Sequence, residues 1–211
     1  MLLAIDTSAG TSVAVVDFAR GVIAERLEPD TMRHAEIVGP FIAQCLHDAA
    51  LTPRELSGVV GGMGPGPFTG LRVGIASARV FALGIGTPLI PVISHDAVAF
   101  GHYRRGHSGP LVVVTDARRR EVYWSAYSQA DDVGLPVRSG PPGLAKPAEL
   151  DDPAWQHALW PRLDATTVSA ADLGLVAEFM HAYQRPFAAN EPLYLRSPDV
   201  TLSAGPKRVS R

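Results

Sequence analysis

Cysteine is almost missing from this chain: Cys45 stands alone among 211 residues, so no internal disulfide can form. That excludes a disulfide scaffold and fits a reducing cytosol better than an oxidising compartment. Charge of one sign is missing too. Nineteen Lys and Arg stand against 21 Asp and Glu, for a formal net charge of −2. Such a chain is no trap for polyanions, and if an RNA is the ultimate substrate, other proteins supply most of the phosphate contacts. The opening MLLAIDTSAG has no basic segment, and its apolar run ends at Asp6, unlike a secretory leader. No stretch approaches the roughly 18 apolar residues of a membrane span. The expectation is a cytoplasmic protein that does not meet a membrane.

Catalytic signatures are equally scarce. No Gly-x-Ser-x-Gly elbow, His-x-x-x-His or Cys-x-x-Cys occurs, and the seven histidines are scattered. His34 is expected as a surface or capping histidine, and Cys45 as a buried, inert thiol on the apolar side of a helix. Arg118-Arg119-Arg120 reads as a solvated turn rather than an RNA patch. No repeat of solenoid period is present. These residues alone license no enzyme.

What is present is ample apolar material, 46% hydrophobic with 19% charged, enough for one large domain or two small ones. Leu2–Ile5, Thr11–Val16 and Val22–Leu27 predict three strands in an antiparallel meander. From about Arg33 the apolar residues fall into two helical rows, Ile37/Phe41/Cys45 and Val38/Ile42/Leu46. Leu51-Thr52-Pro53 ends that helix. Val59 and Val60 mark a strand, Leu71–Leu83 a second helix, and Leu89–Ile93 a further strand, with a short helix from near Ser94. Leu111–Thr115 and Val122–Tyr127 predict paired strands. Residues 129–165, rich in proline, glycine and aspartate, read as loops with one short strand at most. Ser169–Tyr183 predicts a last helix, with Ser169 and Asp172 as a capping box, and the tail from Ser203 reads as disordered. The order of elements indicates an α/β fold.

Two segments could cradle phosphate. Asp6-Thr7-Ser8, with Thr11 and Ser12, places hydroxyls and an acid in a turn after a strand, where backbone amides can bind an anion and the acid can orient metal or water. The same residues suit a plain hairpin turn. Gly64-Pro65-Gly66-Pro67-Phe68-Thr69-Gly70 lies between a strand and a helix, where anions bind well. It is neither a Walker A loop nor a Rossmann fingerprint, and a rigid turn without a ligand explains it equally. The Leu71–Leu83 helix has Arg72 and Arg79 as its only charges and almost no polar face, which predicts burial on more than one side. Gly74 and Ala78 would admit another helix closely. Either the C-terminal part of the chain covers this surface or a partner does.

LLAIDTSAGTSVAVV, RHAEIVGPFIAQCL, GMGPGPFTGLRVGIASARVFA, DARRREVYWSAY and EPLYLRSPDV together resemble the TsaB (YeaZ) family. The resemblance covers most of residues 1–127 and returns at 191–200. It implies a two-lobed α/β fold like the actin, hexokinase and Hsp70 ATPases (ribonuclease H-like): an N-terminal lobe at 1–105, a C-terminal lobe at 106–202 and a tail at 203–211. It also implies a non-catalytic subunit that supports a TsaD-type catalytic partner, with help from a TsaE-type ATPase, in making N6-threonylcarbamoyladenosine at position 37 of tRNA. Homodimers are implied for the chain alone, and contact with tRNA only through the complex.

In TsaD-like proteins a His-x-x-x-His motif binds the metal. Here those positions fall at Ser94 and Val98, with His95 one residue off, so a metal site is not expected in this chain, and ATP and metal are expected on the partners. Asp6, Thr7, Ser8, Gly64, Gly66, Thr69 and Gly70 would then be vestigial phosphate loops. Pro67 stands where the family pattern has serine. The helix pair implied as the interface offers Arg33, Glu36, Ile37, Arg72, Val73, Ala76, Val80 and Leu83. A glutamate at Val73 or Val80 is expected to break partner binding and leave the monomer folded. The alternative is an independent nucleotide-dependent enzyme or ATPase of the same fold, or a glycoprotease-like peptidase.

Overall fold

A computed structural model describes residues 1–196. The tail from Ser203 and the last four residues of the EPLYLRSPDV segment lie outside them. Two five-stranded sheets form the frame. The first has the order β3-β2-β1-β4-β5, from β1 (Leu2–Asp6), β2 (Thr11–Asp17), β3 (Gly21–Glu28), β4 (Gly58–Gly62) and β5 (Leu89–Val92). The meander β1–β2–β3 is antiparallel, while β4 and β5 add on in parallel through helical crossovers. In the second sheet β6 (Leu111–Asp116) pairs antiparallel with β7 (Val122–Ala130). The 129–165 region is more ordered than its composition suggests. It carries β8 (Pro136–Arg138), β9 (Gly143–Ala145), the single turn α4 (Pro147–Leu150) and β10 (Arg162–Asp164). Strands of three residues are too short to show a period, so the sequence hides them.

Strand alternation sorts the core. In β1, Leu3 and Ile5 point to one face of the first sheet and Leu2 and Ala4 to the other. The first face is covered by α1 (His34–Asp48) and α2 (Phe68–Ile85), through Val38, Ile42, Cys45 and Leu46 of α1 and Ala78 and Ala82 of α2. The second is covered by α5 (Ala170–Ala182), whose Leu173, Val176 and Ala177 pack with Phe100 of α3 (Ser94–Arg104). The tyrosine-bearing side of α3 meets the second sheet at Leu111, Val113 and Tyr127, which joins the two sheets. Cys45 therefore belongs to the buried row of α1, while Ile37 and Phe41 are only half-buried. Burial pushes its thiol up to about 11.

Helix α2 departs from its sequence reading in three ways. It begins at Phe68, three residues early, because Pro67 in extended geometry serves as its N-cap and pre-sets the entry. With 18 residues at a mean hydropathy of 1.4 it is long and apolar enough, by length and composition, to cross a membrane. The reading missed this because Arg72 and Arg79 interrupt the run. And it is buried on one side only: Gly70, Leu71, Gly74, Ile75, Ala78 and Ala82 face the molecule, while Val80 is 69% and Leu83 83% exposed. Gly74 and Ala78 face the protein's own sheet and turns, not a second helix. A Cβ at Gly74 would sit 2.1 Å from Thr7 Oγ1, and one at Gly70 2.5 Å from the Thr7 carbonyl. The glycines let α2 rest directly on the β1–β2 turn.

The α5 capping box is half formed. Ser169 Oγ accepts from the Asp172 amide at 3.0 Å, but the Asp172 carboxylate pairs with Arg104 instead of reaching back. Ser169 Oγ also donates to Glu25, which accepts from Ser12 and the Ala171 amide as well. That carboxylate ties β2 and β3 to the start of α5.

Candidate functional site

The two predicted phosphate loops pack against each other. Thr7 Oγ1 donates to the Gly70 carbonyl at 2.6 Å. Asp6 is almost wholly buried; one oxygen accepts from the Ser8 amide and hydroxyl at 2.8 and 2.6 Å, and the other from Ser94 Oγ at 2.5 Å. Burial raises its carboxyl above the usual range, against the hydrogen bonds from Ser8 and Ser94 that lower it. An acid held this way is a structural pin between β1 and α3. Its three hydrogen bonds occupy three of a carboxylate's about four acceptor positions. Ser94 also accepts from the Gly64 amide at 3.0 Å, and Ser94, Asp6, Thr7, Ser8, Gly64, Gly66 and Gly70 form one knot. Thr69 alone of the loop residues is exposed.

His95 is fully buried between α3 and the second sheet. Its Nδ1 meets Ser125 Oγ at 2.7 Å and its Nε2 meets Thr115 Oγ1 at 2.9 Å, so both nitrogens are used. Burial, helped by the Arg138 charge, takes its pKa down to about 3, and the ring is neutral. The adjoining Asp96 is held up at about 6 by burial, against the pull of Arg138 and Tyr127. Among the described residues no three His, Cys, Asp or Glu side chains converge as a metal site.

His34 is not the surface or capping histidine expected. It is 7% exposed, with Nδ1 2.7 Å from Thr11 Oγ1. It lines a cleft of about 350 Å³ between the lobes, together with the start of α2, Arg118, Tyr123, Tyr194 and Arg196. The Arg118-Arg119-Arg120 turn is exposed, in line with the sequence reading, but its backbone is unusual. All three residues have positive φ, at 61°, 52° and 63°, a backbone that non-glycine residues visit singly and seldom. Arg118 reaches over the cleft to Thr31 Oγ1 at 2.9 Å. No local pattern signals this placement, since neither His34 nor the arginines show a motif spacing.

The predicted interface residues lie together on the outer side of α1 and α2. Arg33, Glu36, Arg72, Ala76, Val80 and Leu83 are exposed, and Ile37 and Val73 are half-buried. Arg33 and Glu36 pair with each other at 3.2 Å. Arg72 lies over the Phe68 ring, 3.8 Å from its centre. The described C-terminal stretch covers only the flank: Arg79 binds Asn190 at 2.8 Å, Ala188 and Leu193 pack on the cluster containing Ile75, and Tyr194 meets Phe68 in a tilted ring contact. Among the described residues nothing covers Val80 and Leu83.

The family described as TsaD, tRNA N6-adenosine threonylcarbamoyltransferase, matches residues 21–139. An uncharacterized protein of Mycobacterium tuberculosis is 41% identical over 203 residues, covering 94% of this chain and 92% of the relative. The tRNA threonylcarbamoyladenosine biosynthesis protein TsaB of Escherichia coli is 32% identical over 134 residues, which is 64% of this chain and 57% of that protein; its Bacillus subtilis counterpart is 32% identical over 126 residues, 60% and 54%. The matched region thus spans little more than half the length of those two TsaB proteins. The solved structure of YeaZ from Pseudomonas aeruginosa superimposes with a TM-score of 0.76 at 25% identity, over 92% of this chain and 99% of that one. The chain belongs to the TsaD-type family, and its named relatives and structural neighbours place it in the TsaB (YeaZ) branch.

Proposed function

We propose that this protein is a non-catalytic docking subunit in the synthesis of N6-threonylcarbamoyladenosine at position 37 of tRNA, and that it holds a TsaD-type catalytic subunit on the outer face of α1 and α2. The observation that carries the reading is the bare apolar side of α2. Val80 and Leu83 stand 69% and 83% exposed on a helix whose other side is packed. Covering each such side chain is worth about 1.5–3 kcal/mol, and the charged rim of Arg33, Glu36 and Arg72 gives the patch the polar border of a protein contact. The same face serves a homodimer when the partner is absent. A TsaE-type ATPase joins the complex, ATP and metal reside on the partners, and tRNA is met through them.

The reading is further supported by the fate of the polar groups that an enzyme of this fold would use. Asp6 accepts three hydrogen bonds from the chain itself, and both ring nitrogens of His95 are engaged. The test is co-elution of the chain with a TsaD-type protein from the same organism, beside ATP turnover by the chain alone. Co-elution lost in Leu83→Glu, with no turnover, is the expected result. Turnover by the isolated chain, or co-elution indifferent to Leu83→Glu, overturns it.

A further inference from the structure

A separate pocket, of about 450 Å³, opens between α5, the first turn of α3 and the hairpin of β7 and β8. None of the residues lining it belongs to α1, α2 or the cleft between the lobes. Leu135 and Val176, both buried, and the half-buried Met180 give it an aliphatic wall. Two acids and two arginines complete the lining, and they are not at one depth. The side chains of Asp96 and Asp131 are 11% and 20% exposed, those of Arg138 and Arg185 35% and 44%. The pocket is therefore acidic below and basic at its mouth.

The two acids differ in what they have left to give. Asp131 uses both oxygens: Oδ1 accepts from the Val133 and Leu135 amides, and Oδ2 from Arg185. In Asp96 everything falls on Oδ1, which accepts from the Tyr127 hydroxyl at 2.8 Å and faces Arg138 Nε at 3.2 Å. Oδ2 accepts no hydrogen bond among the described residues. Asp96 is nevertheless only 8% exposed. A buried carboxylate is costly unless its acceptor positions are answered, and a buried ion pair repays its desolvation only when they are. Arg138 meets Asp96 through Nε alone, and its other N–H groups are available at the mouth of the pocket.

We propose that this pocket binds a small aliphatic amino acid as its zwitterion. The ammonium group donates to Asp96 Oδ2, the carboxylate accepts from Arg138, and the side chain lies against Leu135, Val176 and Met180. The acid and the arginine stand 3.2 Å apart, so a ligand that answers both must carry its own two charges side by side. An α-amino acid holds them on one carbon. A plain amine would bring its charge against Arg138, and a plain carboxylic acid would bring its own against Asp96. Charge-assisted hydrogen bonds at both poles fix the orientation, and the volume suits a ligand of this size.

The test is carbon-13 NMR of the methionine methyl groups in the full chain, titrated with L-leucine, with 3-methylbutylamine (leucine without its carboxylate) and with 4-methylpentanoate (leucine without its ammonium). At about pH 7.5 Asp96 is ionised, since burial holds it up only to about 6. Met180 lines the pocket, while Met63 is buried in the cluster under α2 and serves as the control. Leucine is expected to shift Met180 saturably and to leave Met63 in place, with the amine and the acid each about tenfold weaker. Asp96→Asn should weaken leucine about tenfold. Arg138→Gln should remove the advantage of leucine over the amine, which a merely structural role would not do. Val80→Glu should bind leucine as the parent does. No saturable shift of Met180 up to about 10 mM leucine, unchanged binding in Asp96→Asn, or an amine or acid as tight as leucine would overturn the proposal while leaving the docking reading untouched.

Discussion

His95 and Asp96 are neighbours whose buried surroundings push them in opposite directions. His95 titrates near 3 and Asp96 near 6, both chiefly because burial disfavours the charged form. For His95 the unfolded chain binds the extra proton between about pH 3 and its ordinary 6.5, so its contribution to stability falls as the pH drops through that window. For Asp96 the folded chain binds the extra proton between its ordinary 3.8 and about 6, so its contribution falls as the pH rises. Between about pH 4 and 6 the two cancel. Asp96→Asn removes one side, and the slope of unfolding free energy against pH should rise by up to about 1.4 kcal/mol per unit there. Urea denaturation at a series of pH values reads it; an unchanged slope would mean that Asp96 is not held protonated. His95→Ala should cost about 3 kcal/mol in the same assay, since it opens a cavity and strands the hydroxyls of Ser125 and Thr115. His95 was visible in the sequence only as a residue near a lost metal position. Its partners come from strands 20 and 30 residues away, and no local pattern encodes them.

Among the elements, the strands β1 to β7 and helices α1, α2, α3 and α5 were legible, because alternation in β1 and β2 and helical rows such as Val38/Ile42/Leu46 record burial directly. The direction of the exposed helix face was not. Apolar residues surround α2 on both sides, and only the fold shows that Gly74 and Ala78 turn inward and Val80 and Leu83 outward. This separates two substitutions that looked alike. Val73 is half-buried and packs against the core under α1 and α2, so Val73→Glu should lower stability by about 2–3 kcal/mol. Val80→Glu, on an exposed side chain, should change it by no more than about 0.5 kcal/mol and act on association alone. Thermal melts of the two variants check this, and equal melting temperatures would refute the assigned facing. At α5, Ser169→Ala removes both the N-cap and the bond to Glu25 and should cost about 1–2 kcal/mol.

At the scale of the molecule, two sheets share α3 as their seam, and a C-terminal stretch runs from the flank of α2 to the turn between β6 and β7. Arg79–Asn190, Tyr194 on Phe68 and Arg196 on the Ala117 carbonyl mark its path. With the carboxylate of Asp6 and the ring of His95 committed to holding the lobes and sheets together, the polar groups of the knot act as mortar, and the unfilled capacity lies on the outer face of α2. The measurement that tests this most directly is light scattering on a sizing column, for the chain alone and mixed with a TsaD-type protein of the same organism, each fraction assayed for threonylcarbamoyl transfer to tRNA. A mixed complex, activity only when both proteins are present, and loss of both with Leu83→Glu are the expected results. Separate elution, or full transfer activity without this chain, would contradict the docking reading.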